Sequence, residues 1–516
     1  MLSVDTAPTK ALAIASLLVT VVYLYGKLYY KRFKQNAHLP QLSSSLLWGH
    51  LMAFDDFTKR GITDRHPDAI FADMYRALGQ PPVMLLDNWP IVPPMVIVAS
   101  HQVAEQLSKP SQRFNINERW KAVRKRFNPG FSPQHLLTLL PVILDKAAPY
   151  MEHIDEFVRT GHTFPLDQFM TNLTFNIIGA VAMDEDMSAQ GADQGILIQM
   201  FKELIKTYAD DKLQLPWWLI PRTHLRRREL GRRISHQLKA IVRRSFNDIN
   251  EKNNANSRSI LALSLQGIPS LTPEIIEETC DQLKTFLFAG HDTTSTTIIW
   301  CIYELTRTPH AMKSVHAELD NLFGPGGARN PTVVREKLLA PNGEGIIHGM
   351  TYISAVIKEV LRLHPPAGSI RKSEPGTGFT VSTPDGEYNL DGNWVYLNHT
   401  IIHRDRTVFG ETADDFRPER WLQPQIEDIS TTAWRPFERG PRNCIGQELA
   451  NIETRVILAM LAQRYEFTKV GLGEFVLNGD DKGYYKAKSE LYATIQITAK
   501  PVDGMLMKVK LAAAED

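Results

Sequence analysis

The chain has 516 residues and a formal net charge of +1, with 58 basic side chains set against 57 acidic ones. That balance excludes a global electrostatic bias toward nucleic acid. Its three cysteines, Cys280, Cys301 and Cys444, form no paired framework and no Cys-x-x-Cys, which argues against a disulfide scaffold and a structural zinc site. Length alone suggests about three domains at about 150 residues each. No long polar linker and no internal repeat divides the chain, so one sizeable core facing a reducing compartment is expected.

Residues 11–25 are almost wholly apolar. A spanning helix needs about 20 such residues. The run approaches that length with Lys27, whose stem can snorkel, and with Tyr23, Tyr25, Tyr29 and Tyr30, which suit a membrane interface. Lys31-Arg32-Phe33-Lys34 follows, while only Asp5 and Lys10 precede. This basic excess places the C-terminal side in the cytosol. The rival reading is a cleaved signal peptide, opposed by the weakly basic start and by the lack of a small-x-small site after the run. The expected division is an anchor with its basic flank over 1–34 and one globular domain over 35–516. Residues 55–78 follow a helical pattern. Val83-Met84-Leu85-Leu86 and Met95-Val96-Ile97-Val98 read as strands, and Ser100 as the N-cap of another helix.

Trp120 and Arg124 stand four residues apart, hence on one helical face, ahead of an Asn128-Pro129-Gly130-Phe131 turn. Taken alone, the pair is an ordinary surface contact. Residues 168–183 read as an amphipathic core helix with Phe175, Ile178 and Val181 on one face. Asn172-Leu173-Thr174 and Asn398-His399-Thr400 are formal glycosylation sequons, which a cytosolic domain would leave unused. Trp217-Trp218-Leu219-Ile220-Pro221 precedes Arg222, Arg226, Arg227, Arg228, Arg232 and Arg233. Such a segment suits an anionic bilayer surface or, equally, a core edge followed by a solvated helix. One arginine cluster in a near-neutral chain is weak support for nucleic-acid binding. Residues 251–259 are polar and read as a surface loop.

Thr272-Pro273 opens a helix as N-cap and first-turn proline. It runs to about Arg307, about 34 residues or about 50 Å, long enough to cross a whole domain. In its middle lies Ala289-Gly290-His291-Asp292-Thr293-Thr294. Phe286, Ala289, Gly290, Thr293 and Thr297 share one face, which passes from apolar to small to hydroxylic. Gly290 costs about 1 kcal/mol against alanine, and Thr293 can bond back to the Ala289 carbonyl and loosen the turn. A small gap beside a hydroxyl and a carboxylate suits a bound diatomic and water. A softened core helix explains neither Asp292 nor its place. His291 is not needed as a ligand.

Residues 324–345, rich in Gly, Pro and Asn, read as a surface excursion, and Thr351 as the start of the next helix. Glu359 and Arg362, three apart on it, could be a surface pair worth well under about 1 kcal/mol. Short strands are expected at Phe379-Thr380-Val381, at Trp394-Val395-Tyr396-Leu397 and over 492–497, with Asp385-Gly386 and Asp391-Gly392 as turns. Phe437-Glu438-Arg439-Gly440-Pro441-Arg442-Asn443-Cys444-Ile445-Gly446 reads as a loop presenting one thiolate. Two glycines let its backbone bend tightly against a flat ligand. Arg442 can fork an acidic group, and Phe437 can pack on whatever the sulfur binds. A helix with Leu449, Ile452, Val456, Leu458 and Leu461 follows at once, so its dipole favours an anionic Cys444. A lone cysteine is more often a buried turn residue, but here five positions fit one pattern, Phe-x-x-Gly-x-Arg-x-Cys-x-Gly.

That loop resembles the haem-binding loop of the cytochrome P450 family, and the resemblance extends over nearly the whole chain. The fold it implies is mainly α with a small β-region, a single haem domain behind an N-terminal transmembrane helix. The resemblance makes Cys444 the axial ligand of haem b, a thiolate that pushes electron density onto iron and favours O–O cleavage. Trp120 and Arg124 match a Trp-x-x-x-Arg helix that binds a haem propionate, and Arg371 is a second propionate partner. Phe437 and Arg442 complete the cofactor-binding set. Ala289-Gly290-His291-Asp292-Thr293-Thr294 matches Ala-Gly-x-Asp-Thr-Thr in full. That motif assigns Asp292 and Thr293 to proton delivery during dioxygen activation. Glu359 and Arg362 match Glu-x-x-Arg and are expected to pair with Arg420 of Phe416-Arg417-Pro418-Glu419-Arg420-Trp421 in a structural network. Phe286, Ala289, Ser369 and Ile370 are the substrate candidates. Loops at 113–117 and 479–488 are expected as channel walls. The usual proline-rich hinge after the anchor is matched only by His38-Leu39-Pro40.

The expected activity is insertion of oxygen from O2 into an apolar small molecule. The overall texture is similar to filamentous-fungal members that tailor polyketides and other secondary metabolites. No Gly-rich dinucleotide fingerprint is present. Electrons are therefore expected from NADPH through a separate membrane-bound cytochrome P450 reductase, with cytochrome b5 as a further donor, and no nucleic-acid partner is expected. The resemblance places the chain in the endoplasmic reticulum membrane as a single-pass protein with a cytosolic catalytic domain. Two rivals are a haem-thiolate isomerase or dehydratase on the same fold, opposed by the intact Asp292-Thr293 pair, and a non-catalytic membrane-anchored binding protein.

Overall fold

The computed structural model describes residues 7–109, 118–211, 217–251, 257–476, 485–496 and 498–513. It is mainly helical with a small β-region, as expected. The chain divides into two compact units, Met1–Phe114 with Ser369–Ile402, and Asn115–Gly368 with His403–Asp516.

The first unit begins with a helix over Ala7–Phe33. Within it Ala11–Phe33 is long and apolar enough to cross a membrane, and none of its apolar stretch is buried in protein. Val83–Leu86 and Met95–Val98 form an antiparallel pair in which Val83 faces Val98. Met95–Val98 then runs parallel to Trp394–Leu397, which pairs antiparallel with Ser369–Lys372. Both strands of the first pair are almost wholly buried, so they read as continuous apolar runs rather than alternating ones. Thr380–Thr383 and Gly386–Asn389 form a hairpin, with Pro384-Asp385 as its turn and Gly386 already paired with Thr383. Ser100 caps the helix His101–Ser108 by accepting the Val103 amide.

One expectation changes here. The single helical stretch over 55–78 is two helices, Leu51–Lys59 and Pro67–Ala77. The second restarts because Pro67 occupies its first turn and the His66 ring accepts the Asp68 amide at 3.2 Å. In the basic flank of the anchor, Arg32 is buried against Asp87.

In the second unit a 35-residue helix spans Pro273–Arg307, the central helix. It starts as expected, with Thr272 Oγ1 accepting the Ile275 amide at 3.3 Å. Its main neighbour is the helix Leu166–Met183. That element departs from the amphipathic expectation, since every residue from Asn172 to Met183 is buried. Its polar side chains are satisfied inside the protein. Asn172 Oδ1 accepts from Lys202 Nζ at 2.8 Å, Thr174 Oγ1 donates to the His291 carbonyl at 2.8 Å, and Asn176 Oδ1 accepts the Ala189 amide at 2.8 Å. Polar letters in a helix therefore did not mean a wet face. Both sequon asparagines, Asn172 and Asn398, are buried.

The stretch 324–345 is not a surface excursion. It contains the helix Pro331–Leu339, capped by Asn330 and anchored by buried Val334 and Leu338. Strands also appear that the sequence reading did not place. Tyr465–Lys469 pairs with Leu506–Leu511, and Thr498–Pro501 pairs with the expected strand Ala493–Gln496. Trp217, Trp218 and Leu219 are exposed. The arginine run after them lies on the helix Pro221–Asn250 and is partly neutralised, Arg226 by Glu203 at 2.6 Å and Arg227 by Asp211 at 3.1 Å.

Candidate active site

The Cys444 loop is closed by its own backbone. The Cys444 amide donates to the Phe437 carbonyl at 2.8 Å, and the Asn443 amide to the Gly440 carbonyl at 3.1 Å. Two left-handed residues make this bend, Glu438 at φ +56° and Gly440 at φ +75°. The first is a non-glycine in a sparsely populated region, and its carboxylate is held by the buried Arg435 at 3.0 Å. The helix Gln447–Leu461 begins three residues after the cysteine. Burial raises the Cys444 thiol above its usual range, and the amides of Gly446 and Gln447 and the charge of Arg124 only partly reverse this. A metal at the sulfur would favour the thiolate, since a coordinating thiol is deprotonated outright.

The sulfur opens into an apolar cavity of about 310 Å³. Phe437, Ile445, Leu449 and Ala450 line it beside Cys444, and the central helix contributes Phe286, Ala289, Gly290 and Thr293. Phe127 and Phe131 pack edge-on against Phe286, with centroids 5.2 and 5.0 Å away. Trp120 and Arg124, on the helix Glu118–Phe127, also border the cavity. Arg124 bonds the Asn443 carbonyl at 2.9 Å, Asn443 Oδ1 at 3.0 Å and Asn128 Oδ1 at 3.0 Å. Arg442 lies over the Trp120 ring at 4.1 Å. Among the described residues neither guanidinium has a carboxylate partner, so two cations beside the thiol are left for an anionic ligand.

Thr293 Oγ1 donates to the Ala289 carbonyl at 2.8 Å, the back-bond expected of it. Gly290 has a packing reason as well. A Cβ there would lie 2.8 Å from Ile178 Cγ1 and 2.9 Å from Cδ1. Gly290→Ala is therefore expected to lower the melting temperature although alanine favours helix by about 1 kcal/mol, because overpacking costs about 1–3 kcal/mol. Adding Ile178→Ala should give less than the sum of the two losses, as contacting sites do. Simple additivity in thermal melts would refute the clash.

Asp292 does not line the cavity. It is buried in an ionic cluster, with Lys500 Nζ at 3.0 Å from Oδ1 and Thr498 Oγ1 donating to Oδ2 at 2.6 Å. Lys500 also holds Asp167 at 2.8 Å and donates to Thr171 at 3.0 Å. His291 is spent on a bond to the Leu287 carbonyl at 2.6 Å, and burial lowers its pKa.

Glu359, Arg362 and Arg420 come together as one network, so the surface-pair reading is overturned. Glu359 and Arg362 are fully buried. Arg362 forks Glu359 at 2.9 and 2.8 Å. Arg420 Nε, the Arg417 amide and Trp421 Nε1 each donate to Glu359 at 2.9 Å. The remaining Arg362 hydrogens reach the carbonyls of His403, Ala413 and Asp415.

Ser369, Ile370 and Arg371 belong to the first unit, where Arg371 donates to Ser369 Oγ at 2.8 Å and to the Ile370 carbonyl at 2.9 Å. The channel loops expected at 113–117 and over most of 479–488 lie outside the described residues. Two residues were missed. Lys500 carries no motif, and only its place on a buried strand could have flagged it. Glu453 lines the cavity, is buried, and has an Oε1 with no hydrogen-bond partner. Burial raises its pKa well above the usual carboxylate range. Its signal was a carboxylate on the helix face shared by Leu449, Ile452 and Val456.

A sequence model of the family described as cytochrome P450 matches residues 99–479. The chain is 28% identical over 498 residues to Cytochrome P450 monooxygenase acrF of Aspergillus aculeatus, a match covering 86% of this chain and 97% of that protein. It is 28% identical to Cytochrome P450 monooxygenase polC of Polytolypa hystricis, over 74% of this chain and 72% of the relative. A shorter match, 31% identical over 47% of this chain and 18% of the relative, is to a Bifunctional cytochrome P450/NADPH--P450 reductase of Gibberella moniliformis.

Proposed function

Because the chain belongs to the cytochrome P450 family and is a monooxygenase of it, we propose that it oxidises an apolar, polyketide-type small molecule of fungal secondary metabolism, with haem b bound through Cys444. One observation carries this reading: Cys444 and Thr293 line the same apolar cavity. The residues suit a flat, metal-bearing dianion. The sulfur faces the cavity, the walls are apolar, and the guanidiniums of Arg124 and Arg442 lack carboxylate partners. Such forks match carboxylates in a bidentate way. Arg124, Arg442 and Arg371 would hold the propionates, and Trp120 and Phe437 would pack on the ring. Bound there, haem supplies dioxygen activation, which thiolate ligation favours.

The chain's own residues do the rest. Phe286 and Ala289, with Ser369 and Ile370, hold the substrate by apolar contact and exclude water. Thr293 Oγ1, released from the Ala289 carbonyl, presents a hydroxyl proton to the cavity. Asp292, bonded to Lys500 and Thr498, takes up a proton from the interior side and passes it to Thr293 Oγ1 as that hydroxyl gives up its own. In the same reading the helix Ala7–Phe33 anchors the chain in the endoplasmic reticulum membrane, and residues 35–516 form the cytosolic haem domain. Electrons come from NADPH through a separate reductase, with cytochrome b5 as a second donor. A relative whose printed name joins a P450 to an NADPH reductase supports the electron source.

A carbon monoxide difference spectrum of dithionite-reduced membranes tests the assignment. The native chain should give a thiolate-type Soret band, and Cys444→Ala should lose it. A band that survives the substitution would remove Cys444 as ligand.

A further inference from the structure

We propose that Arg435 is a positioning residue for the sulfur of Cys444. It holds Glu438 in a backbone conformation that glycine enters freely and glutamate rarely adopts, and that conformation aims the carbonyl on which the cysteine loop closes. The inference rests on the reading of Cys444 as the haem ligand. It concerns two side chains that the pattern Phe-x-x-Gly-x-Arg-x-Cys-x-Gly leaves unspecified.

Residues 435–438 make one tight turn. The Glu438 amide donates to the Arg435 carbonyl at 3.0 Å, and Pro436 stands at the second position, which suits its fixed φ. The ends of that turn are joined a second time by their side chains. Arg435 Nε donates to Glu438 Oε1 at 3.2 Å and Nη2 donates to Oε2 at 3.0 Å, a fork on a carboxylate. The arginine side chain is fully buried and the glutamate only 8% exposed, so salt and water screen this pair little. Arg435 is also fixed from outside the loop, because its amide donates to His403 Nε2 at 3.1 Å.

Glu438 sits at φ +56°. A side chain other than glycine is uncommon there, and such an outlier persists only where its surroundings hold it. The fork supplies that hold. The peptide between Phe437 and Glu438 carries the consequence, because its carbonyl accepts the Cys444 amide at 2.8 Å. If a flip of this peptide let Glu438 relax to negative φ, the carbonyl would swing away and the cysteine amide would lose its acceptor. Phe437, Asn443, Cys444 and Ile445 all line the cavity, so the flip would displace the sulfur at the cavity wall itself. Arg124 holds the other side of the loop, at the Asn443 carbonyl, and leaves residue 438 unconstrained. The competing account is an ion pair that only balances charge. The two accounts differ in which second substitution rescues the loss of Arg435.

The test uses full-length protein supplied with haem, read by the reduced carbon monoxide spectrum and normalised to haem content. Arg435→Met should shift the Soret band from the thiolate type toward the neutral-thiol type. Arg435→Met with Glu438→Gly should restore the thiolate-type band, since glycine keeps a positive φ without a clamp. Arg435→Met with Glu438→Gln removes the same two charges but keeps a side chain at position 438, and should stay shifted. Recovery in both double variants would overturn the positioning role in favour of charge balance alone. Recovery in neither, or an unshifted Arg435→Met, would overturn it as well. A native chain that binds haem without a thiolate-type band would instead overturn the reading of Cys444 beneath it.

Discussion

Glu359→Ala is expected to lower unfolding free energy by about 3–5 kcal/mol, the cost of leaving a buried charge without its partner. Arg362 is fully buried and Arg420 nearly so, so neither cation can recover solvent. Against a typical total of about 5–15 kcal/mol, this one change removes much of the margin. A urea midpoint within error of the native chain would refute the network's role. An exposed pair such as Lys59 with Asp55 should show almost nothing in the same assay. The network also predicts an acid limb. Burial pushes the Glu359 carboxyl up, but the bonds and charge of Arg362, the charge of Arg420 and the Arg417 amide outweigh it and hold it below its ordinary value. The unfolded chain then binds more protons, so this contribution is present above about pH 4.3. It is lost as pH falls through the lower folded value. Glu359→Gln should flatten that limb.

Asp292→Asn is expected to cut turnover by about 10²–10⁴-fold, the usual worth of a positioned proton donor or acceptor, with the reduced carbon monoxide spectrum unchanged. Unaltered turnover would remove Asp292 from proton delivery. Lys500→Met should act through the same carboxylate, because it strips the cation from both Asp292 and Asp167. Burial lowers the Lys500 pKa, but the two carboxylates outweigh it and leave it raised. Its stabilising contribution is present below about pH 10.4 and is lost as pH rises through the higher folded value. Alkaline melts of Lys500→Met should therefore lack that final loss.

Features bound by local geometry were legible before the structure. The Cys444 loop, the Thr293 back-bond, the caps at Ser100 and Thr272 and the Glu359-x-x-Arg362 spacing each depend on residues within one or two turns. The rest was set by distant partners. Nothing near Lys500 says that it will meet Asp292, more than 200 positions earlier, and nothing around Glu453 says that its carboxyl will find no partner. The spacing of Phe175, Ile178 and Val181 reads as one apolar face of the helix Leu166–Met183, yet its Asn and Thr side chains are satisfied by Lys202, His291 and Ala189 from other elements, so both faces are buried. The Gly, Pro and Asn content of 324–345 hid a helix whose cap and first-turn proline, Asn330-Pro331, are themselves start signals.

With Ala7–Phe33 read as a membrane anchor, the buried sequons carry a consequence for its orientation. Asn172 bonds Lys202, Thr174 is inaccessible, and Asn398 is fully buried with its Oδ1 accepting the Ile401 amide at 3.1 Å. In a cytosolic domain they are never glycosylated. A chain threaded the opposite way would expose both acceptors to glycan transfer before folding, and a bulky sugar at either asparagine is incompatible with the packing it must later enter. Topology and foldability are thereby coupled: a misoriented chain would be marked during synthesis at two positions that only the unmodified residue can fill.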